Sequence, residues 1–176
     1  TVRNLEGVTL RQETEQDRAA ISEVHEQAFQ RTHEAHIVEK VRQSSGFIPE
    51  LSLVAEYAGQ IIAHALFSKV QIENGTEVVE VLAFGPLAVR PALREHGIGS
   101  MLIREGIVRA SELGYRAIVL IGRPHCYAEF GFVPGSHFGL KCSVPVPDEM
   151  FMIHPLRHDG LTNVNGTVVY PPTFAE

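Results

Sequence analysis

Apolar residues recur at intervals of three and four through Ile21, Val24, Ala28 and Phe29, the spacing of one buried helical face. Thr14, with Asp17 three positions on, marks a helix start, so a helix is expected to about Phe29 after a short strand over residues 8 to 12. A second helix, near residues 34 to 43, turns Ile37, Val38 and Val41 inward, and Gly46 and Pro49 end it. From Leu51 the period falls to two. Leu51, Leu53 and Ala55 alternate, Ala58-Gly59 turns the chain, and residues 61 to 72 return as a long strand. Asn74-Gly75 closes another tight turn before residues 78 to 89, completing a three-strand antiparallel meander. Gly85-Pro86 interrupts the third strand, and a proline without a ladder donor predicts a bulge or a splayed strand end.

Helical spacing returns from about Gly97 to Leu113, with Ile98, Met101, Leu102, Gly106, Ile107 and Ala110 inward and Gly114 as the left-handed residue that stops it. Residues 115 to 121 then read as a buried strand. Strand, glycine turn, helix and strand form a βαβ unit, which requires parallel strands and a right-handed crossover. Further on, a short helix is expected over 124 to 130, strands from Phe132 and over 150 to 156, and an edge strand over 166 to 170. Val144-Pro145-Val146-Pro147 is a loop. The whole is an α/β (α+β) fold, a mixed sheet with about four helices, expected as one domain over residues 1–176.

Composition narrows the partners. A chain of 176 residues, 44% hydrophobic, can bury one sizeable core. A net charge of −6 without a basic block argues against nucleic acid. No apolar run approaches a membrane span and the N-terminus lacks signal-peptide layout, so a soluble, cytoplasmic protein without a membrane partner is expected. Cys126 and Cys142 lie in no metal or disulfide spacing, and His33 with His36, or His154 with His158, lack the further ligands of a zinc site, so no metal is expected. Asn74-Gly75-Thr76 and Asn165-Gly166-Thr167 match the glycosylation sequon but read as hairpin turns.

The chemistry gathers in Arg94-Glu95-His96-Gly97-Ile98-Gly99-Ser100, where a strand hands over to a helix. Backbone N–H groups at a helix start lack intrahelical partners, the dipole adds positive charge, and glycines let an anion approach the main chain. The turn is a candidate phosphate site. A P-loop needs Lys followed by Ser or Thr after its last glycine, whereas this turn continues Ser100-Met101. A dinucleotide fingerprint needs a third small residue where Leu102 stands, and an opening strand where a meander stands instead. Walker chemistry is excluded and NAD is not expected.

Taken together, Leu87-Ala88-Val89, Arg94-x-x-Gly97-x-Gly99 and Tyr127-x-x-Phe130-Gly131-Phe132 resemble the GNAT superfamily of N-acetyltransferases over residues 8 to about 133. From residue 134 onward, Val146-Pro147-Asp148-Glu149-x-Phe151-Met152 and Gly166-Thr167-Val168-x-Tyr170-Pro171 resemble the tail of a bacterial subfamily of predicted acetyltransferases. The resemblance implies an acyl-CoA-dependent acyltransferase (EC 2.3.1.-) with acetyl-CoA as co-substrate, bound in a V-shaped gap where two central parallel strands splay apart. It implies that the pantetheine arm pairs with the strand edge at Leu87, Ala88 and Val89. It further implies that His96, Gly97, Gly99 and Ser100 hold the pyrophosphate through backbone N–H groups, with Arg94, Glu95 and Phe130 also at the cofactor. Leu87 N–H would face the thioester oxygen, and the Tyr127 hydroxyl would protonate the departing thiolate.

Members of the family often carry a carboxylate four residues before the oxyanion donor, and here Ala83 occupies that position. Glu80 shares a face with Leu82 and Phe84, opposite Ala83, so it is no simple replacement. A water relay involving His64 or His125 is an alternative base. The missing carboxylate also leaves open a non-catalytic acyl-CoA-binding or interaction module, and transfer of a longer acyl group is a third reading. The implied acceptor is a small-molecule amine or a peptide, and the 166 to 170 edge suits a homodimer.

Overall fold

Among the described residues, 5–174 of the computed structural model, nine strands form one sheet. They are β1 (Thr9–Gln12), β2 (Ser52–Tyr57), β3 (Gln60–Asn74), β4 (Glu77–Val89), β5 (Ala117–Ile121), β6 (Val133–Pro134), β7 (Leu140–Cys142), β8 (Phe151–Pro155) and β9 (Gly166–Val169). Four α-helices accompany them: α1 (Arg18–Phe29), α2 (His33–Arg42), α3 (Ile98–Glu112) and the single turn α4 (Pro124–Tyr127). The strand order is β1-β2-β3-β4-β5-β8-β6, with β9 beside β3 and β7 beside β9. The meander, the βαβ unit and the mixed sheet all match the expectation. The chain divides into two compact units, Thr1–Phe67 with Gly85–Arg109, and Ser68–Phe84 with Ala110–Glu176.

In the first unit, Thr14 donates through its N–H and hydroxyl to Asp17 Oδ2, and a 3-10 turn over Glu15–Asp17 leads into α1. Arg11 grips the same Asp17 carboxylate at 2.7 and 2.9 Å, pinning the helix start to β1. Ile21 and Val24 are buried as the periodicity predicts, but Phe29 is 36% exposed. His25, one turn after Ile21, completes the buried face instead. On α2, Ile37, Val38 and Val41 are buried as expected.

In the second unit, β4 runs parallel to β5 with Leu82 opposite Ile118 and Ala83 opposite Val119. Strand β8 lies antiparallel against β5, from Ala117 opposite Pro155 to Ile121 opposite Phe151. Val70, Ile72, Val81, Ala83, Val119, Ile153 and Val168 share one buried cluster. Two expectations fail here. Residues 166 to 170 are not an edge: β9 is paired antiparallel to β3 and parallel to β7. Nor is Asn165-Gly166 a hairpin turn. Gly166 begins β9 with φ 125°, so close to β3 that an added Cβ would lie 2.2 Å from the Glu73 carbonyl oxygen, and the Asn74 amide donates to the Asn165 side chain.

Helix α3 settles on β3 through a missing side chain. A Cβ at Gly106 would lie 2.1 Å from Phe67 Cζ, so the ring occupies the space that any other residue would need. Gly to Ala in a helix interior usually gains about 0.5–1 kcal/mol, whereas overpacking costs about 1–3 kcal/mol, and here the second effect wins. Gly106→Ala should therefore lower Tm, by up to about 12 °C for a cost of about 3 kcal/mol, at about 2–4 °C per kcal/mol for a chain of this size. Adding Phe67→Leu should recover part of the loss, and thermal unfolding of the single and double variants checks both.

Candidate functional site

The glycine turn and the end of β4 that precedes it lie together in the first unit. Arg90 N–H donates to Ile62 O at 2.9 Å, which fixes the direction of the backbone groups at the end of β4. Because N–H groups alternate between the two edges of an antiparallel strand, Ala88 faces β3 with Arg90, while the N–H groups of Leu87 and Val89 face away from β3. That register is one residue out of step with the two-residue turn between Asn74 and Glu77. The extra residue falls in β4, where Gly85 has φ 128°, so the expected irregularity is present.

Beyond β4, Glu95 and Gly97 adopt left-handed backbone, with φ 71° and 74°, and turn the chain into α3. Met101 N–H donates to Gly97 O at 3.0 Å, which closes the first helical turn and leaves the preceding N–H groups without intrahelical acceptors. A Cβ on Gly99 would lie 3.4 Å from Leu87 Cδ2 and 4.0 Å from Val89 Cγ2, so the head of α3 rests on the strand segment singled out in the sequence. His96, Gly97, Gly99 and Ser100 are half-buried there. Arg94 is already engaged: its guanidinium donates to Ala28 O, in the last turn of α1, at 3.0 Å.

Tyr127 belongs to the second unit. Its ring lies against Gly122, where an added Cβ would be 2.5 Å from Tyr127 Cε2, and meets Phe84 and Phe132 edge-on at centroid distances of 6.1 and 6.3 Å. Burial raises the phenol above its ordinary range, so the hydroxyl stays protonated at neutral pH. Phe130 is buried in the 3-10 turn that follows, and His125 is exposed on α4. Ala83 is fully buried and brings no carboxylate, and Glu80 is exposed.

His64 has a different setting from the one its sequence position suggested. It is fully buried in a polar row that also contains Arg42, Glu13, Ser52 and His25. Arg42 Nε donates to Glu13 at 3.0 Å, and the Ser52 hydroxyl donates to the same carboxylate. Ser52 Oγ lies 2.8 Å from His64 Nε2, and His64 Nδ1 lies 2.8 Å from His25 Nε2. Glu13 sets the direction of every bond. A serine that donates to the carboxylate must accept from His64 Nε2–H, so His64 Nδ1 accepts from His25 Nε2–H. His25 Nδ1 is left as a buried lone pair without a hydrogen-bond partner. Sequence reading missed this row, although two signals existed: a histidine at the i+4 position after Ile21, and another inside the apolar run Ile61 to Phe67.

Electrostatics keep both histidines neutral. Burial pushes His25 down to about 3, helped by the neighbouring His64 and Arg42. His64 is also lowered by burial, against the pull of Glu13. Burial alone would raise the Glu13 carboxyl, but the nearby His64 imidazole, the hydrogen bond from Ser52 and the Arg42 charge hold it at about 2. His64 is thus committed to the interior and is not placed to accept a proton from a ligand. Among the described residues, no group of three or more His, Cys, Asp or Glu is arranged to hold a metal ion, and no helix is long and apolar enough to cross a membrane.

With this geometry in view, residues 16–132 match the sequence model of the Acetyltransferase (GNAT) family. The uncharacterized N-acetyltransferase YhbS of Escherichia coli K12 is 34% identical over 159 residues, covering 90% of this chain and 93% of that protein. The crystal structure of Escherichia coli YhbS in complex with CoA superposes with TM-score 0.89 at 31% identity, covering 100% of this chain and 94% of that one. A GNAT family acetyltransferase from Brucella melitensis in complex with acetyl-CoA gives TM-score 0.75 at 32% identity, covering 97% and 99%.

The polar row makes the fold acid-labile. A histidine with a depressed folded pKa contributes stability that is full above the unfolded value near 6.5 and declines as pH falls toward about 3. Glu13, also depressed, contributes stability that is full above 4.5 and is lost as pH falls toward about 2. Both slopes have the same sign. Tm should fall by several degrees between pH 7 and pH 4, and His25→Phe should flatten the part of that decline between pH 6.5 and pH 4, as calorimetry across this range would record.

Proposed function

The chain belongs to the acetyltransferase (GNAT) family, and we propose that it transfers the acetyl group of acetyl-CoA to a primary amine of a small molecule or peptide by direct attack. Support comes from the N–H groups of Leu87 and Val89, which leave the strand on the edge away from β3, while the side chains of the same two residues carry the head of α3 at Gly99. The relatives bound to CoA and acetyl-CoA favour the same co-substrate. That co-substrate supplies an activated acyl thioester.

In this reading the open edge at Leu87 and Val89, and not Ala88, whose backbone faces β3, aligns the pantetheine arm; the backbone N–H groups of His96, Gly97, Gly99 and Ser100 hold the pyrophosphate, with Glu95 and Phe130 as further cofactor contacts. Arg94 adds positive charge while bracing α1. As the amine nitrogen bonds to the carbonyl carbon, Leu87 N–H stabilises the charge developing on oxygen. When the carbon–sulfur bond breaks, the Tyr127 hydroxyl gives its proton to the departing thiolate and is reprotonated from solvent. The proton released by the amine passes to water, since Ala83 offers no carboxylate and His64 is committed elsewhere. Ala83 is also the observation that favours a second reading, a module that binds acyl-CoA without turning it over.

Free thiol released from acetyl-CoA in the presence of amines separates these readings, because the binding module gives none above the hydrolysis rate. Tyr127→Phe should lower kcat by about 10²-fold or more while CoA affinity holds. Gly97→Val places a branched residue at φ 74° and should weaken CoA binding about tenfold, as titration calorimetry would measure. A Tyr127→Phe enzyme with full kcat, where chemistry limits turnover, would remove that residue from the mechanism.

A further inference from the structure

A cavity of about 440 Å³ opens within the second unit, between Ser136, strand β7 and the proline-rich loop that leads into β8. It lies within the size range of small-molecule sites, about 300–1,000 Å³. Leu140, Val144, Val146 and Phe151 give it apolar walls, and Lys141 and Asp148 contribute one cation and one anion. These charges are unspent. Among the described residues no ion pair or side-chain hydrogen bond engages Lys141 or Asp148, whereas Arg11, Arg42 and Arg90 are each held by a carboxylate. The Cys142 thiol, raised by burial, lines the same space as a neutral group.

The cavity is tied to the end of β5, against which the Tyr127 ring of α4 rests. Its wall residue Phe151 pairs with Ile121, and the preceding Met150 carbonyl accepts the Gly122 N–H. The Tyr127 ring lies on Gly122. Adjacent strand residues point to opposite faces, so Phe151, beside Ile121, and Tyr127, on Gly122, flank one strand end from opposite sides. An acceptor held on the Phe151 side would therefore approach from the face opposite Tyr127.

We propose that this cavity is the acceptor site and that it selects an amine bearing a carboxylate on a small apolar body, an amino acid or short peptide. The assignment rests on the acetyl-transfer reading. Lys141 meets the carboxylate, Asp148 meets the ammonium before it loses its proton to water, and Val144, Val146 and Phe151 contact the apolar body. A single cation beside a single anion fits a zwitterion better than a polyamine, which would need several anions. Discrimination follows from added attraction: a carboxylate gains a charge-assisted contact with Lys141 that an amine without one cannot make.

The test uses the full chain with leucine, leucinamide and isopentylamine, which share an apolar body but differ in the carboxylate. With CoA present, leucine should raise Tm more than isopentylamine does, and with acetyl-CoA it should be acetylated with the lower KM. Lys141→Gln should reduce the preference for leucine over isopentylamine at least tenfold, and Asp148→Asn should raise KM for all three amines. Both residues are exposed, so the variants should fold, and the Tm rise given by CoA reports that they have. If leucine neither binds nor is preferred, or if Lys141→Gln leaves the preference intact, the proposal is overturned. If leucine binding depends on Lys141 but no amine is acetylated, the cavity assignment stands as a binding site and the acetyl-transfer reading fails.

Discussion

A strand carries hydrogen-bond donors on both edges, and the end of β4 uses only one of them for β3. Arg90 N–H reaches Ile62 O, so Leu87 and Val89 present their donors to the other side. Farther back on the same strand, Leu82 and Ala83 make the parallel pairing with β5. The one-residue slip marked by Gly85 lies between these stretches and lets one strand serve two neighbours differently. Gly99 marks where the helix above meets this segment, since a Cβ there would lie in ordinary van der Waals contact with the Leu87 and Val89 side chains.

On the other side of this part of the sheet the fold carries a costly interior. A buried carboxylate, a serine and two histidines would each be expensive alone, and they are tolerable because each bond satisfies the next. Arg42 neutralises Glu13, and Glu13 in turn fixes the tautomers of His64 and His25. α1 contributes to both halves of the unit: His25 joins this row, and Ala28, less than one turn later, receives Arg94 from the glycine turn. The glycine turn and the buried row are thus tied to a single helix.

Much of this was legible in the sequence because it depends on local spacing. The period of three and four gave α1, α2 and α3, the period of two gave the meander, and Gly97 and Gly99 gave the turn. The parts that were not legible depend on partners distant in the chain. His25 went unnoticed because the row that receives it, His64, Ser52 and Glu13, comes from other elements. Phe29 read as buried because the helix pattern cannot show where the core stops. The left-handed Glu95 carried no glycine to announce it. Strand β9 looked like an edge since nothing in Gly166 to Val169 reveals neighbours on both sides.

That last arrangement has a consequence for biogenesis. Residues Gln71 to Glu73 of β3 pair with β9, which follows much later in the chain. While the polypeptide is being synthesised, the edge of this stretch that faces away from β4 emerges with its N–H and C=O groups unmatched and waits for Gly166 to Val169. An open ladder of this kind is a template for association with other chains. The nascent protein therefore passes through an interval in which its exposure to aggregation is set by the delay between two strands rather than by the stability of the finished fold.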